Sequence, residues 1–552
     1  MNFNHNFKNP YLLMSFLWGL MIFIANPSGE FPLNDDWAYN KSLLTFFDTC
    51  ELKFVSWSAM TLVSQLFLGS VFCKIFGFSF LMLRILSATI GLMGILFSYK
   101  TLRLLNIPVQ TSFFISILLL SNPLFFSLSN SFMTDIYFYS FSVISFFFIV
   151  KCLNDGKLIW LILVTLFIIT ATMVRQIGVL ITIPFLIVFL IRFGYRDIRT
   201  VLKAITPFAL TLIALLFFND WLNQTNKQVT TYFSIGTAVS EMGFKTLEHL
   251  FYRIGTAGMT LGFFLFPLLI LNLSDFKKSF LKKENRISLI LTVVFIIPLV
   301  RAWTNIPFGN IFYDLGLGPK LLKDTYLLGI NSFPTLQNTG LLILRSICLI
   351  GGILLYYQCF NFIFKMKFFI KEKTDLPVHH YFKLFSLLLI LFLSASFAIP
   401  DFFFDRYLIQ LLFLISVVLI PLKHNLLRSK YTLRFSYILI SLFIVFSVTA
   451  THDYFSWNRA RWKGLDYLTK NKKIYPSEID GGFEFNGWHQ TGIYEENQTK
   501  SWWFVNQDTY IIAFGPIDGY NVIKMIPYRQ HISFRTGHIY ILEKRIKMDN
   551  DS

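Results

Sequence analysis

The sequence predicts a polytopic α-helical membrane protein of about thirteen transmembrane helices, with interfacial helices in its first long loop and a small C-terminal α/β domain. Three observations carry this expectation. Of 552 residues, 55% are hydrophobic and only 14% are charged, too few to cover a soluble protein of this size. Apolar runs of about 15 to 20 residues, enough to cross roughly 30 Å of hydrocarbon, recur from end to end. Lys and Arg gather in alternate segments between those runs, as the positive-inside bias requires.

Hydropathy places spans at Tyr11–Ala25, Phe80–Leu102, Thr111–Phe126, Ile136–Val150, Leu158–Thr172, Ile177–Leu190 and Ile205–Phe218. Six more follow at Met259–Leu273, Ile287–Val300, Leu341–Phe360, Phe385–Ile399, Tyr407–Leu422 and Phe435–Val448. With the N-terminus cytoplasmic, the cytoplasmic loops hold Lys100 and Arg103, Lys151 and Lys157, and Arg192 through Lys203. They also hold Lys277–Arg286, Lys365–Lys383 and Lys423–Arg434. The opposite loops hold Asp35, Asp36, Asp135, Asp220, Asp401 and Asp405. This separation fixes both the count and the direction.

The first external loop, Pro27–Ser79, carries apolar residues at helical spacing over Trp37–Phe47 and Ala59–Phe76, which predicts helices lying in the interface. Residues 1–450 then form the membrane domain. Residues 451–552 form an external domain, whose turn signals and alternating runs such as "TYIIAFG" and "HIYILEK" predict a small mixed α/β fold. The first apolar run lacks a small-residue cleavage site and reads as an uncleaved span.

The net charge of +18 does not point to nucleic acid, because the basic residues flank spans and form no face interleaved with stacking aromatics. The five cysteines form no framework; Cys152, Cys348 and Cys359 read as small apolar residues, and only Cys50 and Cys73 share a loop where they could pair.

Two adjacent carboxylates, Asp35 and Asp36 in "GEFPLNDDWAYN", stand where the chain leaves the first span. One short polar residue would cap the following helix; a pair of acids exceeds that need. Other charges gather at the same depth of the same face. Asp135 starts the fourth span in "SNSFMTDIYF". Arg84 lies about one turn inside the second span, Arg175 fills the tight turn between spans five and six, and Arg406 opens span twelve beside Asp405. Singly, each has an ordinary role: capping, snorkelling to headgroups, or a local pair between Arg406 and Asp405.

Together they suit attack on a sugar whose anomeric carbon carries a lipid phosphate. A carboxylate serves as general base for the acceptor hydroxyl, and Arg clamps the departing phosphate. A divalent cation, Mg or Mn, is the rival use for the acids, with Asp135 meeting one of the pair; Asp35 and Asp36 themselves point about 100° apart on a helix. A transporter of lipid-linked saccharide would place polar residues at mid-bilayer in broken, repeated helices, and a non-catalytic assembly subunit would have no use for the acids.

This set of features resembles the membrane glycosyltransferases of the GT-C class: a cytoplasmic N-terminus, about thirteen spans, the acidic pair after span one, Arg84, "FMTD" and "DRYL". More narrowly, the chain resembles the protein O-mannosyltransferase and lipid A aminoarabinose transferase group, in its bacterial branch. The external segment Ala460–Trp488 shares the resemblance, whereas residues between Asp220 and Gln337 match only in hydropathy. The resemblance implies an inverting transferase with a polyprenyl-phosphate sugar donor, undecaprenyl phosphate in a bacterium, and a glycan, lipid or protein acceptor. Carried over, Asp35 becomes the base, Asp36 its neighbour and Asp135 the second acid, while Arg84, Arg175 and Arg406 hold the carrier phosphate. The protein mannosyltransferases carry Asp-Glu where this chain has Asp-Asp. In the tail, Trp488, Trp502 and Trp503 offer stacking surfaces, with packing onto the membrane domain the simpler use.

Overall fold

In the computed structural model of the chain, residues 9–225, 244–272, 283–297, 306–307, 309–317, 322, 338–372, 376–398, 403–420, 429–489, 505 and 507–545 are described. The N-terminal part runs through ten helices: α1 (Pro10–Ala25), α2 (Asp36–Thr49), α3 (Val63–Phe76), α4 (Phe80–Leu104), α5 (Val109–Leu120), α6 (Pro123–Leu128), α7 (Thr134–Asp155), α8 (Leu158–Thr172), α9 (Thr182–Phe193) and α10 (Ile198–Thr225). Longer helices at Phe244–Phe264, Asn338–Glu372, Val378–Ala395 and Lys430–Asp466 follow, with shorter ones between.

Among the described residues, seven helices are long and apolar enough to cross a membrane, and further apolar helices of 10–17 residues accompany them. The chain is an integral membrane protein. Each expected span falls on a helix, although the ends expected at Leu273, Val300, Ile399 and Leu422 lie outside the described residues, as do Asp401 and parts of the basic segments 277–286 and 423–434. Cys50 and Cys73 are free thiols.

Two expected spans differ from their hydropathy for clear reasons. The run Thr111–Phe126 is broken at Ser121–Asn122, because Pro123 lacks an amide hydrogen and Asn122 caps a new helix by accepting from the Phe125 amide at 3.1 Å. The helix that carries the last span does not stop at Val448. Helix Lys430–Asp466 continues for 37 residues, about 55 Å, and so crosses the boundary drawn at residue 450. Its exposed apolar residues Tyr431, Phe435, Ile438, Leu442 and Val445 form one stripe at spacings of three and four, as a lipid-facing surface would. Beyond it the helix is a polar-tipped post for the tail.

At the centre stands α7, 83% of whose span is buried inside the protein. It packs on α4 where Gly94 leaves no room for a Cβ, since one there would lie 2.5 Å from the Ser140 hydroxyl. Hydroxyls then lock the register: Ser140 donates to the Ile90 carbonyl at 2.8 Å, and Ser87 and Ser98 meet the phenols of Tyr137 and Tyr139. The start of α7, and with it Asp135, is thereby fixed.

The tail folds as expected into a small sheet. Strands β1 (Ile479–Asp480), β2 (Tyr510–Ala513), β3 (Tyr520–Arg529) and β4 (Thr536–Lys544) lie in the order β1-β2-β4-β3. β1 and β2 are parallel and the other pairs antiparallel. The sheet packs on the post through Ile512, Ile526 and Ile541, which surround Gly464. A short helix, Phe483–His489, reaches back to the first loop, and its Trp488 packs on Phe80. Trp502 and Trp503 lie outside the described residues.

Candidate active site

The first loop builds the site by docking onto two neighbouring turns. The Leu62 and Ser64 amides donate to Val174 and Met173, and the Thr61 hydroxyl donates to Thr172, which seats the loop on the turn that carries Arg175. Gln65 donates to the Phe132 carbonyl at 2.8 Å, tying α3 to the loop before Asp135.

The two adjacent acids divide. Asp35 stands at the N-cap position of α2 yet makes no capping hydrogen bond. One of its oxygens pairs with Arg406 Nη1 at 2.7 Å, and the other accepts from Trp57 Nε1 at 3.0 Å. Asp36 turns the opposite way. Its Oδ1 accepts from the Leu33 amide at 2.6 Å and its Oδ2 from the Phe132 amide at 3.1 Å, stitching the first loop to the second. Burial pushes the Asp36 carboxyl up to about 7, against the opposing pull of Arg84 and those two amides.

Asp135, in the first turn of α7, pairs with Arg175 Nη1 at 2.6 Å, and its Oδ2 is buried with no hydrogen-bond partner. Arg406 does not pair with Asp405, which accepts the amides of Ile311 and Phe312 instead. The Tyr407 ring lies beneath both guanidiniums, 5.2 Å from Arg175 and 5.9 Å from Arg406. Tyr39, one helical turn beyond Asp35, senses the charges of Asp35, Arg406, Arg175 and Asp135, and burial drives its phenol far above the ordinary range. Two acid–arginine pairs with Tyr39 and Tyr407 therefore form one cluster, drawn from four distant parts of the chain. Asp35, Asp135, Arg175 and Arg406 are all less than 9% exposed.

Arg84 is held by the first loop. Its guanidinium donates to the carbonyls of Pro27, Gly29 and Phe31 and sits over the rings of Phe31 and Phe455. Both terminal nitrogens fasten the start of the loop, while its Nε is buried with no partner among the described residues. The three carboxylates also fail to converge as a metal-binding set, since Asp36 faces the backbone of residues 33 and 132 and Asp135 faces Arg175.

Several contributors carry little sequence signal. Tyr39 shares a helix face with Asp35 at i+4, a spacing that could have disclosed it. Trp57 and Glu484 could not be found that way. Glu484, in the tail helix, accepts from the Asn34 amide at 2.9 Å, and Asn34 holds a left-handed φ of 54° immediately before the acid pair. Glu484 is in turn paired with Arg461 Nη1 at 2.8 Å, both side chains fully buried.

Comparison with known proteins adds the following. Residues 63–222 match the family described as dolichyl-phosphate-mannose-protein mannosyltransferase. No curated protein matches the chain. Among solved structures, ArnT from Cupriavidus metallidurans bound to undecaprenyl phosphate is similar at 12% identity and a TM-score of 0.41, over 96% of this chain and 97% of that one. The Archaeoglobus fulgidus oligosaccharyltransferase tethered with an acceptor peptide is similar at 12% identity and a TM-score of 0.39, over 87% of this chain and 63% of that one. At such scores neither likeness bears on function. The matched segment runs from α3 to the end of α10 and includes Arg84, Asp135 and Arg175. Over those residues the chain is similar to that family, which bears out the resemblance to the GT-C membrane glycosyltransferases.

Proposed function

We propose that the protein is an inverting glycosyltransferase that moves a sugar from a polyprenyl-phosphate donor to an acceptor hydroxyl, with Asp35 as the general base. The single observation that supports this most is the paired cluster in which Asp35 meets Arg406 and Asp135 meets Arg175 around Tyr39 and Tyr407.

In this reading the cluster is closed until the donor arrives. The carrier phosphate offers each guanidinium a stronger, bidentate partner than a single carboxylate oxygen. As Arg406 turns to phosphate, the Asp35 oxygen it held is freed to face the acceptor hydroxyl. It takes the proton from the acceptor hydroxyl; the oxygen attacks the anomeric carbon from the opposite side, and the carbon–oxygen bond to phosphate breaks. The electron pair leaves with the phosphate, whose growing charge the two arginines hold. Trp57 keeps Asp35 oriented throughout, and Asp36 holds the loop in place. Arg84 has no phosphate role here.

The site is taken to face away from the cytoplasm, as the basic loops require of a chain with a cytoplasmic N-terminus. In a bacterium that means the inner membrane and an undecaprenyl-phosphate donor. The sugar and acceptor are open to direct measurement: mass spectrometry of surface glycans and lipids, with and without the gene, would show a sugar missing from one acceptor. An unchanged glycan and lipid profile would overturn the assignment.

A further inference from the structure

Apart from the acid–arginine cluster, the described residues bring together one group with the chemistry of a metal centre. His452 and Asp453 lie on the post helix Lys430–Asp466, a turn or two past its lipid-facing stripe, and His531 lies in the turn between β3 and β4. One ligand atom from each lies within 4.8 Å of the others. The two imidazoles stack in parallel, with centroids 3.7 Å apart and planes at 5°, so the exposed His531 ring must turn out of the stack to aim its nitrogen at a shared ion. His452 Nδ1 is 3.1 Å from Asp453 Oδ1. Two donors each about 2.1 Å from a tetrahedral ion would stand about 3.4 Å apart, close to that spacing.

The local structure holds these donors in place. The Asp453 carboxylate accepts the His531 amide at 2.7 Å and the Ile532 amide at 3.0 Å, which fixes the turn against the helix. Within the turn the Gln530 amide donates to the Arg535 carbonyl and the Ser533 hydroxyl to Gln530, while Ile532 and Phe534 are exposed. A carboxylate has about four lone-pair sites, so two amides leave room for one more ligand bond. Asp453 is buried, His452 is half-buried and His531 is exposed, so the group opens to solvent on one side, where water can complete a coordination shell.

We propose that His452, Asp453 and His531 bind one divalent transition-metal ion. Two imidazoles and one carboxylate favour zinc over the hard, all-oxygen cations. The ion takes the place of the proton between His452 and Asp453, so its binding releases protons and weakens as pH falls. Its effect is to pin the β3–β4 turn to the post helix, and it takes no part in the transfer chemistry.

The test uses the full-length protein in detergent, stripped with a chelator and titrated with Zn²⁺ against a chromogenic competitor. The proposal expects one equivalent bound at micromolar affinity or tighter, with His452→Ala and His531→Ala each weakening it at least about tenfold. Both positions tolerate truncation better than a core residue, and circular dichroism verifies folding. Asp453→Asn keeps an acceptor for the turn and should also weaken binding. Co²⁺ in place of zinc should give the intense visible bands of a low-symmetry site in the native protein and lose them in the His variants. Failure to bind Zn²⁺ below about millimolar, or binding that all three variants leave unchanged, would overturn it.

Discussion

The ion pair between Glu484 and Arg461 offers the sharpest test of how the tail supports the site. Both side chains are fully buried, 2.8 Å apart. Arg461 also donates to the Gly481 carbonyl and to Asn458, but Glu484 is its one carboxylate partner among the described residues. Glu484→Ala leaves that guanidinium buried without a counter-charge, which costs on the order of 3–5 kcal/mol. It also strips the Asn34 amide of its acceptor, adding about 1–3 kcal/mol if water cannot reach it. Because Asn34 is the residue before Asp35, the loss is not only one of stability. A shift of about 1 Å in a catalytic group lowers turnover by roughly 10²-fold. Denaturant unfolding and limited proteolysis would read the first effect, and turnover at saturating donor the second. Glu484→Gln should restore much of the Asn34 contact and therefore much of the turnover, while leaving Arg461 unpaired and stability reduced. Wild-type turnover and unfolding in Glu484→Ala would refute the idea that the tail positions the acid.

Further outcomes follow from the same geometry. Arg175→Ala and Arg406→Ala should raise the donor KM at least about tenfold, from loss of a charge-assisted bond worth roughly 1.5–3 kcal/mol, and an unchanged KM in both would remove the phosphate clamp. Arg84→Ala should leave donor KM near wild type yet make residues 27–31 sensitive to protease, since three carbonyls lose their donor; the reverse pattern would return Arg84 to the phosphate. Burial raises the Asp36 carboxyl from its ordinary 3.8 to about 7, so the folded protein keeps a proton that the unfolded chain releases. The sign follows: this stability is full below about pH 4 and is lost as pH rises through about 7. Asp36→Asn should flatten that part of the pH–stability curve, and an unchanged slope would contradict the burial argument.

The membrane architecture was legible because a span is a length of apolar chain, and both hydropathy and loop charge read length directly. What hydropathy missed was punctuation and excess. The Asn122–Pro123 break sits inside an unbroken apolar run, and the post helix continues past the lipid because helix propensity does not end where hydrophobicity does. At the site, the sequence placed Asp35, Asp135, Arg175 and Arg406 at one depth, but depth does not assign partners. Arg406 had an adjacent acid, Asp405, and took a distant one, Asp35. The backbone carbonyls that Arg84 meets leave no mark on residue type. Glu484 was passed over because a lone acid in a polar tail looks solvated until the fold buries it beside Arg461.

The most direct measurement is the single-turnover rate of sugar transfer by Asp35→Asn from its lipid-phosphate donor, alongside donor binding by the same preparation. An amide cannot take up the acceptor's proton yet still fits beside Trp57 and Arg406, so the rate should fall by about 10²- to 10⁴-fold while donor is bound at least as tightly. A variant that transfers sugar at the native rate would contradict the account at its centre.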